Sequence, residues 1–355
     1  MEINEKLNSI FKDQIVGGSV VLIKGENEFK YSYGYSSLVD NKKVNEETIF
    51  RIASISKAII GLVAMKLVEE KLLDLDDDIS NILGFKVRNP KYPNIPITPR
   101  MLMLHTSSIT DGIEEDIGYN GVNGKHDFVS LEDLLFNQNS ELYTDKTYSD
   151  YPPGEKYIYS NFGSGILACI IEKCSNQLFT NFVSEYLFKP LNIDASFKAN
   201  KITNKDKISD TFTGFSTNKT SQFFIDATYP DFTIGNNFRG PAGGLFVSVQ
   251  DLSKIMIVFM NDGMYQDIQI LKKESVDTLF NMNFFASRYY NDNKINIRGY
   301  TGGAYGVCSV MYFSKLAKTG ICFVANGGNY KPAPTGLNNI QEEMISILLE
   351  EILMI

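Results

Sequence analysis

The chain has no tryptophan, two histidines and four cysteines, and these shortages exclude several kinds of chemistry. His105 and His126 are few, and no HExxH or CxxC pair occurs, so a zinc site built from protein ligands is not expected. Cys169, Cys174, Cys308 and Cys322 fall in apolar stretches such as Leu167-Ala168-Cys169-Ile170 and Ile321-Cys322-Phe323, which reads as buried free thiols. There is no phosphate-binding loop, and no cofactor is expected. Basic residues are in deficit: 34 Lys and Arg against 42 Asp and Glu leave a net charge of −8, which disfavours nucleic acid as a partner. No apolar run is long enough to cross a membrane. The N-terminus, MEINEKLNSIFKDQ, lacks the apolar core of a signal peptide. The sequence as it stands therefore reads as cytoplasmic, the alternative being export with a leader already removed.

At 355 residues the chain exceeds what one compact core usually holds, so two domains or one domain with a large insertion is expected. Residues 3–14 read as a short amphipathic helix. Residues 18–23 and 29–33 read as two strands of a hairpin. Residues 54–71 carry Ile59, Ile60, Val63 and Leu67 at helical spacing, with Ser54 at the front, where a capping hydroxyl is favoured. From about 80 to 240, helical pieces at 100–105, 131–137, 161–175 and 178–187 alternate with loop-rich stretches at 107–128 and 196–240. Long irregular segments of this kind often line a cleft. Helices follow at 249–260 and 271–280, strands at 295–301, 307–313 and 320–325, and a last amphipathic helix at 337–354. Strands near both ends with helices between them predict one sheet domain, residues 1–75 plus 241–355, interrupted by a mostly helical insert, 76–240.

Three short motifs carry candidate chemistry. Ser54-Ile55-Ser56-Lys57 places a hydroxyl and an ammonium one helical turn apart. A helix start favours negative charge, and a lysine in a dry pocket loses its proton more readily, which together activate a serine. The spacing itself is weak, since Ser9…Lys12 and Ser216…Lys219 share it. Tyr159-Ser160-Asn161 combines a phenol that could relay protons with an amide that both donates and accepts. Tyr92…Asn94 and Tyr289…Asn291 repeat that spacing, but only 159–161 follows Pro152-Pro153-Gly154-Glu155 and enters an apolar helix. Tyr300-Thr301-Gly302-Gly303 ends a strand whose glycines allow close approach of a substrate and whose N–H groups could help hold an oxyanion.

In this order, the three motifs resemble the penicillin-binding protein and class C β-lactamase-like serine hydrolases. The flanks are similar too: Phe50-Arg51-Ile52-Ala53 before Ser54, Pro96-Ile97-Thr98 through Leu104-His105-Thr106-Ser107-Ser108, and Pro241-Ala242-Gly243-Gly244-Leu245 with Asp251-Leu252. The resemblance spans roughly residues 15 to 330. It implies an α+β, β-lactamase/transpeptidase-like fold: an antiparallel sheet flanked by helices, with a helical domain bearing Tyr159 across a cleft. It implies that Ser54 attacks a carbonyl, that Lys57 and Tyr159 share the proton relay, and that Asn161 binds the acyl side of the substrate. The N–H groups of Ser54 and Gly303 would form the oxyanion hole, and His105 would belong to a structural turn rather than to catalysis.

The family's third motif usually begins with Lys or His, and here it begins with Tyr300, which brings a hydroxyl and no charge at neutral pH. Arg298, two residues earlier on the same strand face, is the candidate to restore a cation for a substrate carboxylate. The expected activity is hydrolysis of an amide or ester through an acyl-Ser54 intermediate. The substrate would be a small molecule or peptide: a D-amino acid peptide or ester, a simple ester, or a β-lactam. The competing reading is a catalytically silent member that binds peptidoglycan fragments or a protein partner.

Overall fold

The computed structural model describes residues 3–216, 230–290, 292 and 294–354. Part of the loop-rich stretch expected at 196–240, together with Lys219 and Asn291, lies outside the described residues.

In chain order the N-terminal half contains α1 (Ile3–Phe11), β1 (Gly17–Lys24), β2 (Asn27–Ser37), β3 (Lys42–Lys43), β4 (Ile49–Arg51) and α2 (Ser56–Glu69). Short helices follow: α3 (Ile79–Leu83), α4 (Pro99–Met103), α5 (Gly118–Val122) and α6 (Leu131–Leu135). Then come the longer α7 (Asn161–Ser175) and α8 (Phe179–Val183). The C-terminal part returns to strands: β5 (Phe246–Ser248), α9 (Val249–Met260), β6 (Met264–Tyr265), β7 (Ile268–Gln269), α10 (Lys273–Asn281), β8 (Ala286–Tyr290), β9 (Ile295–Ala304), β10 (Val307–Ser314), β11 (Thr319–Ala325) and α11 (Asn339–Leu353).

Seven strands form one antiparallel sheet in the order β3-β2-β1-β11-β10-β9-β8. Both ends of the chain meet in it, because β1 pairs with β11 in a register that sets Val20 opposite Phe323. The two inner strands are buried along their whole length, so they read as continuous apolar runs. Alternation still decides which face each residue joins. Val310, Tyr312, Ile321 and Phe323 pack with Leu7 and Phe11 of α1 and Met344 and Leu348 of α11. Met311, Phe313, Cys322 and Val324 pack into the larger core with α2 and α9. The sheet is thus covered by helices on both faces. All four cysteines are free, and three of them are buried.

Three local features differ from what the sequence leads one to expect. Ser54 does not cap α2. It sits in a 3₁₀ turn, Ala53–Ile55, and the helix begins at Ser56 with Ile55 at its N-cap and no capping side chain. The Ser54 hydroxyl is therefore available for other partners. Second, β8 was not expected from the sequence. Ala-Ser-Arg-Tyr-Tyr is a half-exposed edge strand with no apolar alternation, and pairing with β9 alone defines it. Helix α2 is also buried on nearly every side, from Ser56 to Met65, rather than along one stripe. It lies between the sheet and the helices of the middle segment, packing on α7 and α10, and a helix in that place has no solvent face. Among the described residues no helix is long and apolar enough to cross a membrane.

Candidate active site

The turn that carries Ser54 is pressed against strand β9. Ala53 holds a left-handed backbone, φ 50°, a conformation rare for a residue with a side chain. Gly302 makes the approach possible: a Cβ there would stand 2.6 Å from the Ile52 carbonyl oxygen and 3.1 Å from the Ala53 Cβ. The Ser309 hydroxyl locks the contact by donating to the Ile52 carbonyl at 2.9 Å. From the other side, the Ile52 N–H donates to the Leu245 carbonyl at 3.0 Å, and the Leu245 N–H donates to Ser56 Oγ at 3.1 Å. The Pro241–Leu245 segment thereby braces the turn and brings a carbonyl, that of Ala242, to the buried lysine beside it.

Lys57 is 3% exposed. Its Nζ lies 3.2 Å from Ser54 Oγ, 2.9 Å from Asn161 Oδ1 and 2.7 Å from the Ala242 carbonyl oxygen. Burial pushes its pKa down to about 7; Asp111 opposes that fall and Arg51 adds to it. A neutral amine has two N–H donors and one lone pair. Asn161 Oδ1 and the Ala242 carbonyl are pure acceptors and take both donors. The lone pair is then left facing the Ser54 hydroxyl, as a base requires.

Tyr159 meets the same hydroxyl from the opposite side, with its OH 2.7 Å from Ser54 Oγ. Both flanks of Tyr159 are anchored on His105. The Ile158 N–H donates to the His105 carbonyl at 2.7 Å, and the Ser160 N–H donates to His105 Nδ1 at 3.3 Å. Burial and the nearby Lys57 push the His105 pKa down to about 3, so the ring is neutral and serves as an acceptor. That agrees with the structural role expected for it. Burial outweighs the hydrogen bond between Tyr159 and Ser54, and the Tyr159 pKa rises to about 12, which makes it a neutral phenol with a proton to give.

Asn161 begins α7 and is spanned between a lysine and a carboxylate: its Oδ1 accepts from Lys57, while its Nδ2 donates to Asp111 at 2.8 Å. Asp111 had no place in the sequence reading. Thr110-Asp111-Gly112 looks like an ordinary turn, and no spacing links it to residues 160–162.

A cavity of about 620 Å³ opens onto Ser54, lined by Tyr157, Tyr159, Met103, Phe284, Phe285, Tyr300 and Thr301 among others, none of them Lys, Arg, Asp or Glu. Tyr300 stands in its wall, but its hydroxyl is committed, donating to the Phe284 carbonyl at 2.8 Å, and burial drives its pKa well above the usual value. Arg298 is not part of this lining. Its guanidinium donates to Asn296 Oδ1 at 2.9 Å and to Oδ1 of Asn283, which does line the cavity, at 3.1 Å. Strand β8 stops pairing at Ala286 opposite Gly299, which leaves the outer edge of β9 from Tyr300 onward without a strand partner among the described residues. Among those residues no cluster could hold a metal ion.

A comparison with protein-family models matches residues 5–341 to the family described as Beta-lactamase. The chain belongs to the Beta-lactamase family. Its fold is that of the family's serine hydrolases, with the antiparallel sheet and flanking helices described above. A relative from Staphylococcus aureus (strain MRSA252), "Protein flp", is 28% identical over 328 residues, covering 89% of this chain and 60% of that protein. The chain thus spans about 60% of the length of the curated relatives it first matches. Among solved structures, the octameric penicillin-binding protein homologue from Pyrococcus abyssi superposes with a TM-score of 0.70 at 19% identity, over 99% of this chain and 78% of that one. The D-amino acid amidase from Ochrobactrum anthropi SV3 gives a TM-score of 0.70 at 17% identity, over 99% and 97%. Both show the shared Beta-lactamase fold.

The pKa of His105 has a consequence for stability. Unfolded, the ring takes a proton near pH 6.5; folded, it does so near 3. Between those values the unfolded chain holds more protons, so stability falls as pH drops through this window. Asparagine suits the left-handed backbone at position 105, φ 56°, and keeps an acceptor for the Ser160 N–H. His105→Asn is expected to shift the acid-unfolding midpoint to lower pH, read by circular dichroism, while the turn and the native spectrum at pH 7 are kept. An unchanged acid midpoint would count against His105 as a source of acid sensitivity.

Proposed function

We propose that the protein hydrolyses an amide or ester through an acyl-Ser54 intermediate. The observation that carries this is the buried Lys57, poised near neutrality with its Nζ 3.2 Å from Ser54 Oγ. Lys57 takes the Ser54 proton as Oγ attacks the carbonyl carbon. The N–H groups of Ser54 and Gly303, on the braced turn and the open edge of β9, receive the oxyanion. Tyr159, a neutral phenol in contact with Oγ, gives its proton to the leaving nitrogen or oxygen and regains one from the Lys57 ammonium. Water then enters and loses a proton to Lys57 as it attacks the acyl carbon; the Lys57–Tyr159 pair returns a proton to Ser54 Oγ as the ester bond breaks and the acid leaves. Asn161 contacts the acyl side, and Tyr300, Thr301 and Gly302 form the wall along which the substrate lies. In this reading residues 1–75 and 241–355 form the sheet unit, and 76–240 the helical insert facing it across the cleft.

The substrate is a small molecule or peptide. D-amino acid amides, peptides and esters are supported by the likeness to the Ochrobactrum amidase, and simple esters by the aromatic, uncharged cavity wall. β-Lactams rank lower, because Tyr300 puts a committed hydroxyl where a cation would meet their carboxylate. The test is intact-protein mass after incubation with an activated p-nitrophenyl ester or a serine-reactive phosphonate. One adduct, mapped to Ser54 and absent from Ser54→Ala, is expected. A folded sample with no adduct would remove the hydrolase reading. A panel of p-nitrophenyl esters, D-Ala-D-Ala peptides and a chromogenic cephalosporin then ranks the substrates. In the same assay Arg298→Ala tests whether Arg298 serves a substrate carboxylate: with its guanidinium held by Asn296 and Asn283 outside the lining, the ratio of carboxylate-bearing to neutral substrate turnover is expected to stay unchanged. A lowered ratio would put Arg298 in the site.

A further inference from the structure

We propose that Asp111 is the positioning residue of this site, its carboxylate holding the Asn161 amide in the one orientation that presents Oδ1 to Lys57. The inference rests on the hydrolase reading for its purpose, though not for its geometry.

Both carboxylate oxygens are in use. Oδ1 accepts from the Phe162 N–H at 2.8 Å and from Ser160 Oγ at 3.0 Å; Oδ2 accepts from Asn161 Nδ2 at 2.8 Å. A carboxylate can only accept, so the Asn161 group facing it must be the NH₂. The other end of the amide, a pure acceptor, then faces Lys57. Were the amide reversed, an NH₂ would confront the lysine and its remaining acceptors could no longer direct the lone pair at Ser54. Asp111 therefore sets which Lys57 atom, proton or lone pair, meets the serine.

Its charge acts on Lys57 as well, from one amide away. The groups around the lysine are Arg51 ahead of the Ser54 turn, His105 and Asp111 from the 105–111 turn, and Tyr159, with Tyr157 beyond it, from the segment leading to α7. His105 is neutral, Tyr159 is a phenol, and Arg51 repels the ammonium. Asp111 is the member of this set that favours the charged lysine, and it offsets part of the cost of burial. Without it Lys57 would be a weaker base, neutral at lower pH but less able to draw a proton from serine.

The same carboxylate also supports the start of α7, so loss of activity in a variant would not by itself separate positioning from structure. Lys57 titration does. It can be followed in the whole protein by NMR of ¹³Cε-lysine, with the Lys57 signal assigned from Lys57→Met. In wild type the midpoint is expected near pH 7. In Asp111→Asn it is expected to fall by about 1 pH unit, the usual size for loss of a nearby opposite charge; Asp111→Glu should restore most of it. Ser160→Ala is the structural control. It removes the hydroxyl that bonds both Asp111 and the Gly163 N–H, so it should lower the melting temperature and leave the Lys57 midpoint in place. A Lys57 midpoint unmoved in folded Asp111→Asn, or moved equally by Ser160→Ala, would overturn the proposal. If activated esters leave no adduct on wild-type Ser54, the hydrolase reading falls, while the NMR comparison still decides this one.

Discussion

Lys57→Met is expected to lower the rate of Ser54 acylation by on the order of 10³-fold, within the range that a positioned base supplies. It is also expected to change how stability responds to pH. The sign follows from the proton count. Unfolded, a lysine holds its proton up to about 10.5; folded, Lys57 releases it near 7. Between those values the unfolded chain binds more protons, so wild-type stability rises with pH through that window. Below it, the folded chain carries a buried ammonium at full desolvation cost. Methionine removes this term. The stability of Lys57→Met relative to wild type should be most favourable below pH 7 and decline steadily toward pH 10. Part of the gain is offset because Asn161 Oδ1 and the Ala242 carbonyl lose their donor, but that loss does not depend on pH. Urea titrations of both proteins at pH 6, 8 and 10 read the difference. In wild type, the acylation rate should rise with pH around a midpoint near 7. A stability difference that stays flat from pH 6 to 10 would mean that the folded lysine titrates normally and is not the base.

The second large effect is expected one strand away, where two adjacent glycines should behave differently. Gly302→Ala places a methyl group 2.3 Å from Ser309 Oγ and 2.6 Å from the Ile52 carbonyl. Neither can easily give way. Ser309 is already bonded to that carbonyl, and the Gly302 carbonyl is held from behind by Gln341 of α11 at 3.2 Å. Either β9 or the Ser54 turn must move, at a cost of about 1–3 kcal/mol for an overpacked site. Moving them separates the two N–H groups proposed to receive the oxyanion, so acylation should fall well beyond the loss of stability. At Gly303→Ala the new methyl would meet only the Val307 carbonyl, at 3.9 Å, and the fold should be retained nearly unchanged. Denaturation midpoints and single-turnover acylation rates for the two variants decide it. Equal destabilisation would mean that the close contact of β9 with the turn is not what Gly302 is for.

How far the sequence reaches is clearest in single elements. Residues 18–23, 307–313 and 320–325 are recognisable as strands because β-branched and aromatic residues run between turn signals, and the structure has β1, β10 and β11 there. Nothing comparable marks β8, whose five residues become a strand only because β9 offers an edge. The length of α2 was legible from its apolar spacing, but its burial on all sides was not, since that depends on what covers it.

The same division runs through the site. By itself the sequence determined which groups were on hand and which were close along the chain: Ser54 and Lys57 three residues apart, Tyr159 beside Asn161, a glycine pair after Tyr300, and their order along the chain, which signals the family. Only the tertiary structure decided what those groups are chemically. Lys57 becomes a near-neutral amine because three segments bury it, and Tyr159 remains a protonated phenol because its surroundings desolvate it more than they favour its anion. The Ala242 carbonyl, 185 residues away, takes one lysine donor, and Asp111 turns an amide 50 residues further on. Tyr300 is spent on a backbone carbonyl, while Arg298 is hydrogen-bonded to Asn283. The physical reason is that protonation and hydrogen-bond direction depend on desolvation and on partners brought in from remote parts of the chain, neither of which residue spacing encodes.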